Sequence, residues 1–321
     1  MNNLLTPRNN SEKYTVFNKT TDQDIVAMCD KQEANIWLAS DINLTHDAGD
    51  WNKLNSEEQS YLKQVLAFFA GSDGIVGENL CLNFIQEVSI PEVRYFYYFQ
   101  SMMEAVHSKT YSQLINTFIS SQSEKDALFN SIDDNPIISK KAKWCFEYMD
   151  NKELTFSERL LAFLAVEGIF FAGSFAAIFW IRDRGFLANS LGVANEYISR
   201  DETLHAEFAC LLYKKFCNDL SHTRIKEIII SALNIEKEFI TNALPVKMIG
   251  MNDAIMSQYL EFVADMWLSE LGVEKVFNVE QPFDFMNMIG QRRKDNFFEK
   301  TRTNYSRNTT QSVLDFSSMT F

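Results

Sequence analysis

Residues Leu161 to Ile181 read LAFLAVEGIFFAGSFAAIFWI, with Glu167 as the one charged side chain in the run. By length and hydropathy this segment is able to span a bilayer. An ionisable group at its middle is costly there unless it has a functional partner. A helix that is apolar all round is equally the central helix of a soluble bundle. The chain has a single such segment, with no basic bias in the flanking loops, so the bundle is the preferred reading. Thr155-Phe156-Ser157-Glu158 has the form of a capping box that opens this helix, and Gly185 is placed to end it.

Outward from that helix, the pattern stays helical. Upstream, Ser56-Glu57-Glu58-Gln59 reads as a second capping box, with apolar positions Leu62, Val65, Leu66 and Phe69 following. Pro91 is placed to open a helix running to about Ile119, and shorter helices are expected around 124–150. Downstream, the spacing predicts helices near 192–217, 222–243 and 252–271. A helix-like stretch containing Trp37 is expected within 23–50. With only five Pro and 11 Gly, and no alternating strand pairs, β architectures are disfavoured. The expectation is an all-α bundle over 23–289. A loose polar arm over 1–22 precedes it, and a polar, flexible tail over 290–321 follows.

The formal net charge of -13 argues against nucleic acid as a direct partner, because phosphate binding needs clustered Lys and Arg. Arg292-Arg293-Lys294 is too short to change that. Cys29, Cys81, Cys145, Cys210 and Cys217 make no C-x-x-C pair, which fits reduced, packed thiols in a cytoplasmic protein. The first 22 residues contain no apolar signal region.

Chemistry concentrates in two matching pairs. Of the four histidines, two lie in Glu-x-x-His, as Glu104/His107 and Glu202/His205. Residues i and i+3 share a helix face, so each pair offers one carboxylate and one imidazole to the same point. A bundle that adds one acid from each of two further helices makes a six-ligand, two-metal site. Glu167 and Asp73 are the acids in apolar helices with no other evident reason to be there. Two divalent cations neutralise four such carboxylates, and a mixed carboxylate–imidazole set suits iron or manganese. Any one of these acids alone is better read as solvated or salt-bridged. Tyr111 follows His107 by four residues on the same face, where a metal–oxygen centre could oxidise it. By position alone it is equally a core tyrosine.

Four stretches carry a family resemblance: Phe69–Val76 (FAGSDGIV), Met103–Tyr111 (MEAVHSKTY), Val166–Phe175 (VEGIFFAGSF) and Ile198–His205 (ISRDETLH). They resemble the metal-site segments of class I ribonucleotide reductase small subunits, most closely the eukaryotic and large-DNA-virus branch. The likeness runs from about Ala34 to Tyr305. It implies a ferritin-like helical bundle holding two iron ions per chain, oxo-bridged when oxidised, with manganese the less favoured metal. It assigns Asp73, Glu104 and His107 to one iron, and Glu167, Glu202 and His205 to the other. Tyr111 matches the tyrosine that becomes a stable radical, and Phe171, Phe175 and Ile198 match the apolar wall around it. Asp201 matches the acid joining a ligand histidine to Trp37, and Trp37 the next aromatic on the electron path, a place that simple core packing also explains. Tyr305 matches the tail tyrosine that relays oxidation to a large catalytic subunit. Leu314, Phe316 and Phe321 are then the anchors that dock there, although Ser317–Phe321 carries less acid than the family pattern. The resemblance further implies a homodimer and a role in deoxyribonucleotide synthesis.

Three other readings compete. A di-metal oxidase of lipid or hydrocarbon on the same scaffold needs neither Tyr111 nor Tyr305. An iron-storage bundle assembles into a cage from shorter chains. A membrane protein built on 161–181 requires detergent.

Overall fold

Asn55, not Ser56, caps the first long helix of the bundle in the computed structural model. The Asn55 side chain accepts from the Glu58 N–H at 2.9 Å, and Glu58 accepts from the Asn55 N–H at 2.8 Å. The box expected at Ser56 is therefore real but lies one residue earlier, since Asn reaches the same amide as well as Ser does. The structure describes residues 22–286 except His46, Asn135, Asp150, Leu244 and Pro245, together with Leu4, Leu5 and Phe17.

Ten helices of ten residues or more occur among the described residues: α1 Gln23–Ala34, α2 Ser56–Asn79, α3 Pro91–Phe118, α4 Gln122–Asp134, α5 Pro136–Met149, α6 Phe156–Ala165, α7 Ala172–Asp183, α8 Leu191–Leu212, α9 His222–Glu238 and α10 Asp253–Glu270. No strand is found among the described residues. Pro91 opens α3, where its missing N–H costs nothing. Thr155 and Glu158 form the expected box at α6. Gly185, at φ +88°, ends α7, with the Phe186 N–H returning to the Ile181 carbonyl at 3.3 Å.

Two expectations need correction. Trp37 is not helical: α1 stops at Ala34, and Trp37 lies in the extended connection beyond it, yet its ring is buried. The shorter helices expected around 124–150 begin slightly earlier, because α4 starts at Gln122.

Helices α2 and α3 pack along each other, and α8 packs on α3, α6 and α7. Helices α6 and α7 are joined through a wider turn, Val166–Phe170, with i→i+5 bonding. Together these elements enclose the core, with α9 laid over α6 and α10 against α9. The combined helix Phe156–Asp183 is long and apolar enough to cross a membrane, but 89% of its most apolar window is buried by the other helices. It is the central helix of the bundle. Cys29, Cys145 and Cys210 are buried free thiols, and Cys217 is a partly exposed one.

Met1–Pro282 make one compact unit, and Phe283–Phe321 make a second. In the second, Phe283 and Phe285 stack obliquely at 5.0 Å. The boundary expected at 289/290, and Tyr305, Leu314, Phe316 and Phe321, lie outside the described residues.

Candidate metal centre

Four elements each bring acid or imidazole to one buried point: Asp73 from α2, Glu104 and His107 from α3, Glu167 from the wide turn, and Glu202 and His205 from α8. All six are buried. The His107 Nδ1 faces Glu202 Oε1 at 3.1 Å, Glu104 Oε2 at 3.3 Å and Asp73 Oδ2 at 4.0 Å. The His205 Nδ1 faces Glu104 Oε1 at 3.2 Å, Glu202 Oε2 at 3.4 Å and Glu167 Oε2 at 3.6 Å. Glu104 and Glu202 thus each span both imidazoles, while Asp73 and Glu167 stand at opposite ends.

Two sets of potential ligands result, Asp73/Glu104/His107 and Glu104/Glu167/Glu202/His205. Within each set the donor atoms lie within 4.8 Å of one another. Glu104 belongs to both, which is the arrangement of a carboxylate that bridges two ions. The donor atoms also lack hydrogen bonds of good geometry. Asp73 Oδ2, both Glu104 oxygens, Glu167 Oε2, both Glu202 oxygens and both Nδ1 atoms are buried without one. Such atoms are expensive to bury unless something else satisfies them. A pair of cations does so, and the residues present fit a dinuclear metal site.

The electrostatics agree. Burial, then the charges of Glu104 and Glu202, holds the Asp73 carboxyl well above the usual carboxylate range. Burial, then Glu202, does the same for Glu167. Burial opposes charge on His107, but Asp201, Glu104 and Glu202 outweigh it and raise the imidazole. His205 is raised against burial by Glu104, Glu167 and Glu202. Glu202 is pulled low despite burial by Glu167 and the two histidines. Asp73, Glu167 and the two histidines are thus held toward their protonated forms, and bound cations would take the place of those protons.

Around this centre lie groups that orient it. Asp201 Oδ2 accepts from Trp37 Nε1 at 2.7 Å and sits 3.2 Å from His107 Nε2. That bond leaves Nδ1 as the free nitrogen of His107, turned to the cluster. Trp37 stacks on the His107 ring at 5.7 Å and 18°. Tyr111 is buried, and its ring lies 5.0 Å from Phe69. Phe171 and Phe175 pack on Phe69 at 5.7 and 5.1 Å, and Ile198 is fully buried on α8. Burial, then the charge of Asp73, pushes the Tyr111 hydroxyl far above its ordinary range, so it stays protonated.

Four contributors were missed from sequence. Gln100 donates to Glu167 Oε1 at 3.2 Å; its signal was the i,i+4 spacing to Glu104. Arg200 reaches Asp201 Oδ1 at 3.3 Å and the Asn35 carbonyl at 2.7 Å, tying Asp201 to the connection that carries Trp37. Phe69, inside a quoted motif, turned out to be the ring against Tyr111. Trp267 Nε1 also donates to the Gly168 carbonyl at 3.1 Å, bracing the wide turn.

Fold and site define a ferritin-like helical protein with a buried cluster of carboxylates and imidazoles that fits a dinuclear metal site. The family model described as "Ribonucleotide reductase, small chain" matches residues 14–282, and the chain belongs to that family. Its activity class is the family's, an oxidoreductase acting as ribonucleoside-diphosphate reductase. The chain is 50% identical over 300 residues to ribonucleoside-diphosphate reductase subunit M2 of Homo sapiens, covering 94% of this chain and 77% of that protein. It is 49% identical to the small chain of Yaba-like disease virus, covering 92% and 90%. Among solved structures, the Rnr4 homodimer of Saccharomyces cerevisiae matches at TM-score 0.83 and 34% identity, over 91% of this chain and 92% of that one. The dimanganese(II)-NrdF of Streptococcus sanguinis matches at TM-score 0.77 and 22% identity, over 86% and 99%, a likeness of fold alone.

Proposed function

We propose that this chain generates and stores a tyrosyl radical at Tyr111 and delivers it to a separate large subunit, where ribonucleotides are reduced. The observation that carries the reading is the joining of two ligand sets through Glu104, with a buried, protonated tyrosine one helical turn beyond His107. Asp73, Glu104, His107, Glu167, Glu202 and His205 hold two iron ions, with manganese the less favoured metal. When bound, the iron pair with O2 supplies the oxidising power that removes one electron from Tyr111.

The chain's own residues do the rest. Tyr111 loses its hydroxyl proton together with the electron, because a buried phenol cannot first ionise. Of the charged groups around it, the Asp73 carboxylate weighs most on Tyr111 and is the candidate acceptor of that proton. Phe69, Phe171, Phe175 and Ile198 exclude water and reductants from the phenoxyl oxygen. Asp201 fixes the His107 ring and joins it to Trp37, the route by which the hole leaves the centre. Tyr305 relays it onward, and Leu314, Phe316 and Phe321 dock the tail. The working form is a cytoplasmic homodimer bound to the large subunit.

The test is low-temperature electron paramagnetic resonance on apoprotein given ferrous iron and O2. A tyrosyl signal with two irons per chain is expected. Iron uptake with no organic radical would reject the proposal in favour of an oxidase or a store.

A further inference from the structure

Among the described residues, Lys141 on α5 is the only buried lysine, and its partner Glu236 on α9 is fully buried. The two form an ion pair. Neither belongs to the metal cluster. Removing two charges from water is costly, and apolar replacement of such a pair is often neutral or stabilising. Stability is therefore a poor reason for their presence, and their surroundings offer a better one.

The pair sits at a seam. The wide turn ends at Phe170, and α7 restarts at Ala172, with the Phe175 N–H bonding the Phe171 carbonyl at 2.9 Å. The Phe170 carbonyl falls at the break, and Lys141 Nζ donates to it at 2.9 Å. On the other side, the first N–H groups of α7 have no acceptor within that helix. Glu236 lies against this end of α7, close beside Gly173, and burial pushes its carboxyl up to about 7. A Cβ on Gly173 would stand 2.7 Å from Glu236 Oε1, so only glycine admits the acid this close. The ammonium also rests over the Phe239 and Phe68 rings, at 3.6 and 4.3 Å from their centroids.

We propose that Lys141 and Glu236 are positioning residues that keep the turn Val166–Phe170 wide, and so aim the Glu167 carboxylate into the metal cluster. The lysine takes the carbonyl that the turn exposes, and the glutamate, packed beside Gly173, holds the lysine there. The geometry matters because one residue of an α-helix is about 100° of rotation. If the seam closes to regular α-helix, Glu167 and the Phe171/Phe175 wall turn out of register by that amount. The consequence for metal binding rests on the two-metal reading, whereas the seam itself does not.

The full-length double variant Lys141→Met/Glu236→Met removes both charges at similar volume. The control is Lys140→Met/Glu238→Met, an exposed ion pair joining the same two helices. Three measurements are made: thermal unfolding, deuterium exchange of peptides covering 166–174, and anaerobic titration of apoprotein with Mn(II). The buried double variant is expected to stay folded, to exchange at least tenfold faster over 166–174, and to bind its second Mn(II) at least tenfold more weakly. The surface control should change neither exchange nor binding. Wild-type exchange and binding in the buried variant overturn the proposal. So does loss of the whole fold, which would make the pair a stability element, or an equal effect from the surface control. If the unaltered protein takes up fewer than two Mn(II), the two-metal reading fails, and the exchange comparison still decides the seam.

Discussion

At the Tyr111 ring, the proposed chemistry depends on one O–H bond. Phe keeps the ring's volume in the pocket against Phe69 and removes only that bond. Tyr111→Phe should therefore fold, hold two metal ions and give no organic radical by electron paramagnetic resonance; a persisting tyrosyl signal would place the radical elsewhere. The cluster's protons give a second expectation. Asp73, Glu167 and both histidines are held above their ordinary ranges, so the metal-free protein binds more protons there than the unfolded chain does. By linkage, metal-free stability at these groups falls as pH rises from the ordinary carboxylate range through the raised values; Glu202, held low, acts in the opposite sense. Cations must displace those protons, so Mn(II) affinity should weaken from about pH 8 to about pH 6, with protons released on binding. A pH-independent affinity, or no proton release in buffers of different ionisation heat, contradicts the assignment. The pairs Glu104/His107 and Glu202/His205 were legible in the sequence because i,i+3 spacing alone puts them on one face. Glu167 was legible as an acid stranded in an apolar run. Gln100 and Arg200 were not, because a polar side chain facing a ligand looks the same in sequence as one facing water.

Among the elements, the wide turn Val166–Phe170 is one that the sequence conceals. Leu161 to Ile181 is apolar on all sides, so its periodicity carries no register, and an inserted residue leaves no mark on the pattern. Trp37 was misplaced for a related reason: it lies beyond the end of α1, and what holds it is a bond to Asp201, 164 positions away. Helix ends with side-chain caps, at Thr155 and at Asn55, were legible to within a residue because capping is local. The turn also yields a sharp expectation. A Cβ at Gly168 would stand 2.5 Å from Trp267 Nε1 and 2.7 Å from Cε2, and a buried indole has little room to retreat. Gly168→Ala should destabilise the protein by about 1–3 kcal/mol through overpacking. It should also reduce metal occupancy, because Glu167 precedes it directly. Unchanged denaturation and two ions per chain would show that Trp267 moves aside freely.

For the whole molecule, radical generation and its use are proposed to be separable. The metal centre is built entirely from residues between Asp73 and His205, inside the unit Met1–Pro282. Residues 306–321 are polar with a few apolar positions, a composition that favours ordering on a partner. Deleting 306–321 should leave metal content and the Tyr111 signal intact and abolish nucleotide reduction with the large subunit. A peptide of the same residues should inhibit the intact assembly, with affinity concentrated in Leu314, Phe316 and Phe321. Full activity of the truncated chain would move docking to the folded body.

The central helix also has a history in time. Its most apolar window has a mean hydropathy of 2.0, the profile of a membrane span, and in the finished protein it is covered by α8 and α9. Both covers lie later in the chain, ending at Leu212 and Glu238. At ~5–20 residues per second of synthesis, the ribosome presents that window without these two covers for on the order of several seconds, with only upstream helices such as α2 and α5 already made. During that interval the nascent chain carries the address of a bilayer protein, with the Glu167 carboxyl as its one charged mark. A messenger cut short before α8 should thus yield a polypeptide that chaperones or membranes capture, whereas the complete message yields the bundle.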